Sequence, residues 1–365
     1  MSVTQQDIAD SLEVSLITVH RALNNSGYVS AELRERILAY AKEVNYVPHK
    51  ASQVLVRNKT RKIAVFTSTL PRYFWNEIKT GVMIGAEQLQ AFNYQVHYRM
   101  IPERDSRAYL DILERELSEG LEAVALANQW IYDMDAILSR IDESGIPYVT
   151  LNIDASDSRR RCYIGPDYAA GGRLAAEFIG KSLLFKDRPR VLAINARAER
   201  PSESSKAPDI NKLRMDGFSE VMKSEYGAIE LETDLSTTGI APSGIGKRIE
   251  GILRERAGRF DAIYLVPAYN AEFVRAIERV GIGRSAVVLH DLDASSSRYL
   301  EKGLVTAVIY QNPILQGYYA VKILEHLLES GQSPGPETIR IVHSLVFRQN
   351  KDLYKNHYLF ATMTE

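Results

Sequence analysis

The stretch "DIADSLEVSLITVHRALNNSGYVS", Asp7 to Ser30, decides how the N-terminal part of the chain is read. Ser15 precedes a segment in which Val19, Ala22 and Leu23 fall on one side, which predicts a short helix with a serine N-cap. That helix opens with Leu16 and Ile17, large apolar residues on the side that should face water. Working outward, Thr4 and Asp7 have capping-box spacing for a preceding helix that buries Ile8, Ala9 and Leu12. Ser30 caps a third helix, with Leu33, Ile37, Ala41 and Val44 at helical spacing. Pro48 in "NYVP" closes the unit, because proline biases Val47 away from helix. The next segment, "ASQVLVRN", is too short to hold a helix alone.

Two short helices joined by a few residues, the second polar along one side, make a helix-turn-helix, whose second helix reads base edges in the major groove. In that setting Leu16 and Ile17 can pack on thymine methyls, and Arg21 can pair with guanine. Thr18 and His20 share the helix, while Thr4, Ser15, Asn24 and Ser30 are candidates for phosphate contacts, which position without specifying. Charge agrees in sign. Residues 1–62 carry nine Lys and Arg against six Asp and Glu, so the head is +3 in a chain whose net charge is −1. The basic residues thicken toward 50–62, where acids vanish.

From Lys62 onward, Val/Ile-rich runs alternate with amphipathic helical segments: "IAVFTST", "YQVHYRMI", "EAVALAN", "YVTLNI", "CYIG", "RVLAINA", "AIYLVPA", "AVVLHDL" and "LVTAVIYQ". This alternation predicts an α/β body with parallel sheets, and its length predicts two similar lobes. Ligands in such folds sit beyond the carboxyl ends of the strands, so polar residues ending these runs are pocket candidates. A chain of 365 residues also exceeds one ordinary core. Mean hydropathy is −0.20, and no run of about 18 apolar residues marks a membrane span. An N-terminus without an apolar export segment and a single Cys162 point to a reducing, cytoplasmic setting.

Several chemistries find no support. "GIAPSGIGKR" (239–248) lacks the glycine and the Ser/Thr of a phosphate-binding loop, and no metal-ligand spacing joins the seven histidines to the cysteine. The reading is therefore not an enzyme, with no cofactor, no metal and no catalytic residue.

The residues "VTQQDIADSLEVSLITVHRALNNSGYVSAELRERILAYAKEVNYVPHKASQVL" resemble the DNA-binding head of the lactose-repressor/galactose-repressor family along their whole length. The resemblance implies a helix-turn-helix head over 1–49 and a hinge helix or linker over 50–61, in which Leu55 wedges into the minor groove. It also implies a homodimer on a near-palindromic operator. Three departures stand out. Glu13 replaces the usual turn glycine, His20 replaces a common serine, and Leu16 and Ile17 occupy the operator-selecting positions.

The body resembles the same family's effector domain, which shares its two-lobed fold with periplasmic sugar-binding proteins. The landmarks are "YIGPDYAAGGRLAAEFI", "LRMDGFSEVM", "VVLHDLDASSSRYLEKG" and "VIYQNPILQGYYAV". The resemblance places it over 62–350, with lobe 1 at about 62–165 and 313–340 and lobe 2 at about 166–312 and 341–350, followed by a tail at 351–365. It implies a small-molecule effector (a sugar, sugar acid or polyol) held by Arg214, Asn270, Asp291 and Gln311, with Asp154 and Asp167 as further cleft candidates. Asn152 is an alternative to Asp154, and Phe74 and Trp75 are candidates for stacking on a sugar face. His290 should point away from Asp291 and is read as structural, and the tail shows no leucine heptads. The expectation is an effector-released repressor. The rival is a periplasmic-type solute-binding protein for a sugar, which shares the body but has no use for the head.

Overall fold

The computed structural model describes residues 3–23, 27–44, 46, 60–195, 207–234, 244–256, 258–333 and 335–355. It divides into two compact units, which apart from Gln88–Tyr94, grouped with the first, are a head up to Thr60 and a body from Arg61. The head holds α1 (Gln5–Leu12), α2 (Leu16–Leu23) and α3 (Ala31–Glu43). All three helix starts use the predicted side chains. Thr4 Oγ1 accepts the Asp7 N–H at 3.2 Å while Asp7 Oδ2 accepts the Thr4 N–H at 2.8 Å, a reciprocal capping box. Ser15 Oγ accepts the Thr18 N–H at 3.1 Å, and Ser30 Oγ accepts the Leu33 N–H at 3.4 Å. Ile8, Ala9, Leu12, Val19, Ala22, Ile37 and Ala41 form the core, with Leu23, Leu33 and Val44 half-buried around it.

The body is two six-stranded sheets. The first orders its strands β11-β5-β4-β3-β1-β2, from β1 (Arg61–Ser68), β2 (Tyr94–Ile101), β3 (Leu121–Leu126), β4 (Tyr148–Leu151), β5 (Tyr163–Gly165) and β11 (Thr338–Arg340). The second runs β12-β10-β9-β8-β6-β7, from β6 (Arg190–Ile194), β7 (Glu230–Asp234), β8 (Ala262–Leu265), β9 (Ala286–His290), β10 (Ala307–Tyr310) and β12 (Ser344–Val346). From β11 through to β1 in the first sheet and from β10 through to β7 in the second the pairing is parallel as expected, while β12 lies antiparallel to β10. Nine strands coincide with the apolar runs of the sequence. The other three, β7, β11 and β12, are edge strands that bury too little to need such a run. The chain crosses between sheets after β5, after β10, and between β11 and β12.

Eight longer helices flank these sheets: α4 (Arg72–Gln90), α5 (Ser106–Ser118), α6 (Met134–Ser144), α7 (Tyr168–Ser182), α8 (Ile210–Ser224), α9 (Ile245–Arg256), α10 (Asn270–Val280) and α12 (Pro313–Ser330). Two short ones, α11 (Ala294–Glu301) and α13 (Lys351–Lys355), complete the body. Two helix pairs approach so closely that only glycine fits. A Cβ on Gly172 of α7 would lie 1.9 Å from the Arg214 carbonyl oxygen, and one on Gly217 of α8 would lie 2.1 Å from that of Ala169. Gly81 of α4 and Gly317 of α12 meet the same way, against Ile314 and Ile78. The first contact fixes the height of Arg214 on its helix; the second fixes α4, which carries Tyr73 and Glu77.

Candidate functional site

In the head, α2 turns Val19 and Ala22 inward and leaves Leu16 44 % and Ile17 62 % exposed. Arg21 is exposed beside them, its side chain lying along Gly27. Thr18 is half-buried, with Oγ1 2.8 Å from Ser15 Oγ, so these hydroxyls serve the cap as well as the surface. Thr4 and Ser30 are exposed caps and His20 is half-buried. Tyr28, 89 % exposed, is an aromatic that pattern reading passes over, because the turn it occupies has no periodicity. The turn residue Glu13 sits at φ 53°, ψ 42°, the left-handed conformation its position demands. Asn24 and Leu55 lie outside the described residues.

In the body, a polar cluster gathers where the carboxyl ends of β4, β9 and β10 meet α4 and α8. Asp291 is buried and held at φ 66°, strained for a non-glycine residue. Gln311 Nε2 donates to its Oδ1 at 2.7 Å, and the Tyr73 hydroxyl, from the other lobe, approaches Oδ2 at 3.5 Å. Burial raises the Asp291 pKa and the nearby Arg214 guanidinium opposes that rise. Arg214 is 2 % exposed, donates from Nη1 to the Val266 carbonyl at 3.1 Å, and lies 5.4 Å from the Tyr168 ring centroid. Its Nε has no protein acceptor. Asn270, at the start of α10, donates to the His290 and Asp291 carbonyls at 2.9 and 3.1 Å, leaving its buried Oδ1 without a donor. A buried donor and a buried acceptor thus go unpaired in one cluster, which is what a hydroxylated ligand supplies.

The lobes are tied through the same cluster. Asn152 Nδ2 donates at 3.2 Å to both Gln311 Oε1 and Gln316 Oε1, and the Tyr310 hydroxyl donates to Glu77 Oε2 at 2.8 Å. Burial pushes the Glu77 carboxyl up to about 7, the hydrogen bond from Tyr310 pulls the other way, and the charge of Asp291 adds to the rise. Tyr73 and Glu77 were missed in the sequence, although their i, i+4 spacing puts them on one helix face.

Four expected cleft residues have other work. Phe74 and Trp75 are turned onto the core of lobe 1, edge to face at 5.0 Å, with the Trp75 indole N–H donating to the Leu70 carbonyl at 2.8 Å. One residue along a helix is about 100° of rotation, so Tyr73 and not its neighbours faces the cleft. Asp154 is engaged by Thr150 Oγ1 at 2.8 Å and by Arg160, whose Nη2 donates to Oδ2 at 2.8 Å. Asn152, the alternative, takes the place at the cleft. Asp167 caps α7 through the Ala170 N–H at 3.0 Å and lines a separate cavity of about 610 Å³ with Arg173, Arg340 and His343. His290 pairs with the Tyr264 hydroxyl at 2.7 Å beneath α7, and burial holds it neutral. Among the described residues, no group of three or more His, Cys, Asp or Glu could hold a metal, and no helix is long and apolar enough to cross a membrane.

Comparison with known proteins agrees with both parts. A model of the periplasmic binding protein domain matches residues 63–333, and one described as bacterial regulatory proteins, lacI family, matches residues 4–49. The lactose operon repressor of Escherichia coli (strain K12) is 29 % identical over 177 residues, 48 % of this chain and 48 % of that protein. The regulator GntR of the same strain is 32 % identical over 161 residues, 43 % of this chain and 44 % of that protein. The probable repressor ExuR of Bacillus subtilis is 29 % identical over 155 residues, 42 % and 44 % respectively. The chain thus spans about half the length of the curated relatives it matches. A putative LacI transcriptional regulator from Bacteroides fragilis superposes with a TM-score of 0.68 at 17 % identity, over 81 % of this chain and 100 % of that one. The arabinose binding protein AraP from Geobacillus stearothermophilus gives 0.66 at 19 %, over 81 % and 99 %. These superpositions speak for the fold. By its body the chain belongs to the periplasmic binding protein domain family, and its residues 4–49 match the model of bacterial regulatory proteins, lacI family.

Proposed function

We propose that this protein is an effector-responsive transcriptional regulator, a repressor that binds a near-palindromic operator as a homodimer and releases it when a sugar or polyol occupies the cleft. The observation that carries the reading is the exposure of Leu16, Ile17 and Arg21 on a capped second helix, in a chain whose body gathers Arg214, Asn270, Asp291 and Gln311 at one cleft. Leu16, Ile17 and Arg21 read bases, and Thr4, Ser15, Thr18, His20, Asn24 and Ser30 steady the head on the backbone. Ligand binding biases the two lobes between arrangements, and the segment from 50 to 61 passes that bias to the head. Such a protein works in the cytoplasm, needs no cofactor and is not an enzyme. The two-fold symmetry of the operator mirrors that of the dimer.

The test is selection of a binding site from a random duplex library, followed by titration of the enriched site at 50 to 200 mM salt. The expected outcome is an inverted repeat whose affinity falls about 10²-fold or more over that range, as phosphate contacts release counterions. No enrichment, or an affinity indifferent to salt, rejects the DNA-binding reading.

A further inference from the structure

The charge balance of the cleft points to the class of molecule it accepts. Asp291 is acted on by one cation, Arg214, and by a second carboxylate, Asp293. Glu77 enters from the opposite lobe, fixed by the 2.8 Å bond from Tyr310, the residue preceding Gln311. The charge of the buried Asp291 acts against ionisation of the half-buried Glu77. Among the described residues of this cluster there are three carboxyl groups and one guanidinium: Asp291 offsets the guanidinium, Asp293 adds a further negative charge, and Glu77 ionises only near neutral pH. An added anion meets an excess of like charge, strengthened by burial. A hydroxyl meets none, and finds the unpaired Arg214 Nε and Asn270 Oδ1 waiting. An ammonium group draws the proton off Glu77 and pairs with it.

We infer that the cleft selects neutral or amine-bearing polyols over sugar acids and sugar phosphates, and that Glu77 sets this preference from the first helix of lobe 1. The inference rests on the sugar-effector reading above and narrows it. It assigns Glu77 as a specificity-determining residue, with Tyr310 as the residue that positions it.

The experiment is thermal denaturation of the full chain, then calorimetric titration of hits, across a charge series. The probes are neutral hexoses, pentoses and myo-inositol; the 2-amino hexoses; the corresponding uronates and aldonates; and the hexose 6-phosphates. The expected result is a rise in melting temperature with a neutral or amine-bearing member, and binding at least tenfold weaker for its acid and phosphate. An acid or phosphate that binds more tightly than its neutral parent overturns the inference and leaves the sugar reading standing. No shift with any probe rejects the sugar reading, and the inference falls with it.

Glu77→Gln, which keeps the acceptor for Tyr310, should shrink the acid-to-neutral ratio of Kd at least threefold. Tyr310→Phe, which keeps the carboxyl but removes the bond that fixes it, should shrink the ratio by less than Glu77→Gln does, and an unchanged ratio there removes Tyr310 as the residue that positions Glu77. An unchanged ratio in Glu77→Gln removes Glu77 from the selection.

Discussion

Glu77 has the environment of a carboxyl poised between acid and carboxylate near neutral pH: half-buried at the junction of two lobes, bonded to one phenol and facing the charge of Asp291. With its pKa at about 7 in the folded protein, against 4.5 ordinarily, the folded state holds a proton that the unfolded chain has released. Its contribution to stability is therefore complete below pH 4.5 and is lost as pH rises through 7, a change of up to about 3 kcal/mol. His343, held down to about 4 chiefly by burial and then by Arg214, works in the opposite sense. Its contribution is present above pH 6.5 and is lost as pH falls through 4. Subtracting the variant from the native protein isolates Glu77. Urea midpoints from pH 5 to 8 should fall more steeply for the native chain than for Glu77→Gln, and parallel curves would contradict the shift.

At the scale of elements, the junction of α1 and α2 shows a residue accepted against its preference. Glu13 adopts the left-handed conformation that glycine takes freely, and its N–H still caps the carbonyls of Ala9 and Asp10. Glu13→Gly should stabilise the head by roughly 0.5–1 kcal/mol, while Glu13→Ala should not, because alanine keeps the Cβ that causes the strain. Melting of the head followed by helical circular dichroism separates the two; equal gains would trace the effect to the charge instead. The glycine pairs of the body act the other way. Gly172 and Gly217 let α7 and α8 touch backbone to backbone, which brings Arg214 over the Tyr168 ring and near Asp291.

For the molecule as a whole, the head and the body each close their own hydrophobic core. The head core is small, and a domain of that size is marginal. Calorimetry should show two transitions, a weak one from the head and a larger one from the body, with a cleft ligand raising only the second. A single transition shifted as a unit by ligand would mean that the two cores unfold together. The wiring within the body favours coupling. Three strand crossovers join the lobes, and one of them carries Gln311, which bonds Asp291 on one side and accepts from Asn152 on the other.

The sequence alone determined the helix starts and the strand runs with a buried face, and its resemblance implied the pocket proposed around Arg214, Asn270, Asp291 and Gln311. Caps and periodicity are local, so Thr4, Ser15 and Ser30 were legible from neighbours within three residues, and the misplaced Leu16 and Ile17 stood out against that pattern. Tertiary structure decided what locality cannot. Phe74 and Trp75 went to the core and Tyr73 and Glu77 to the cleft, because the angle at which α4 docks is set by Gly81 meeting a helix more than 200 residues away. Asp154 was taken by Arg160, leaving Asn152 to bridge Gln311 and Gln316. The pairing of Glu77 with Tyr310 joins residues on opposite lobes, and only the fold, which sets that distance, gives the cleft its charge.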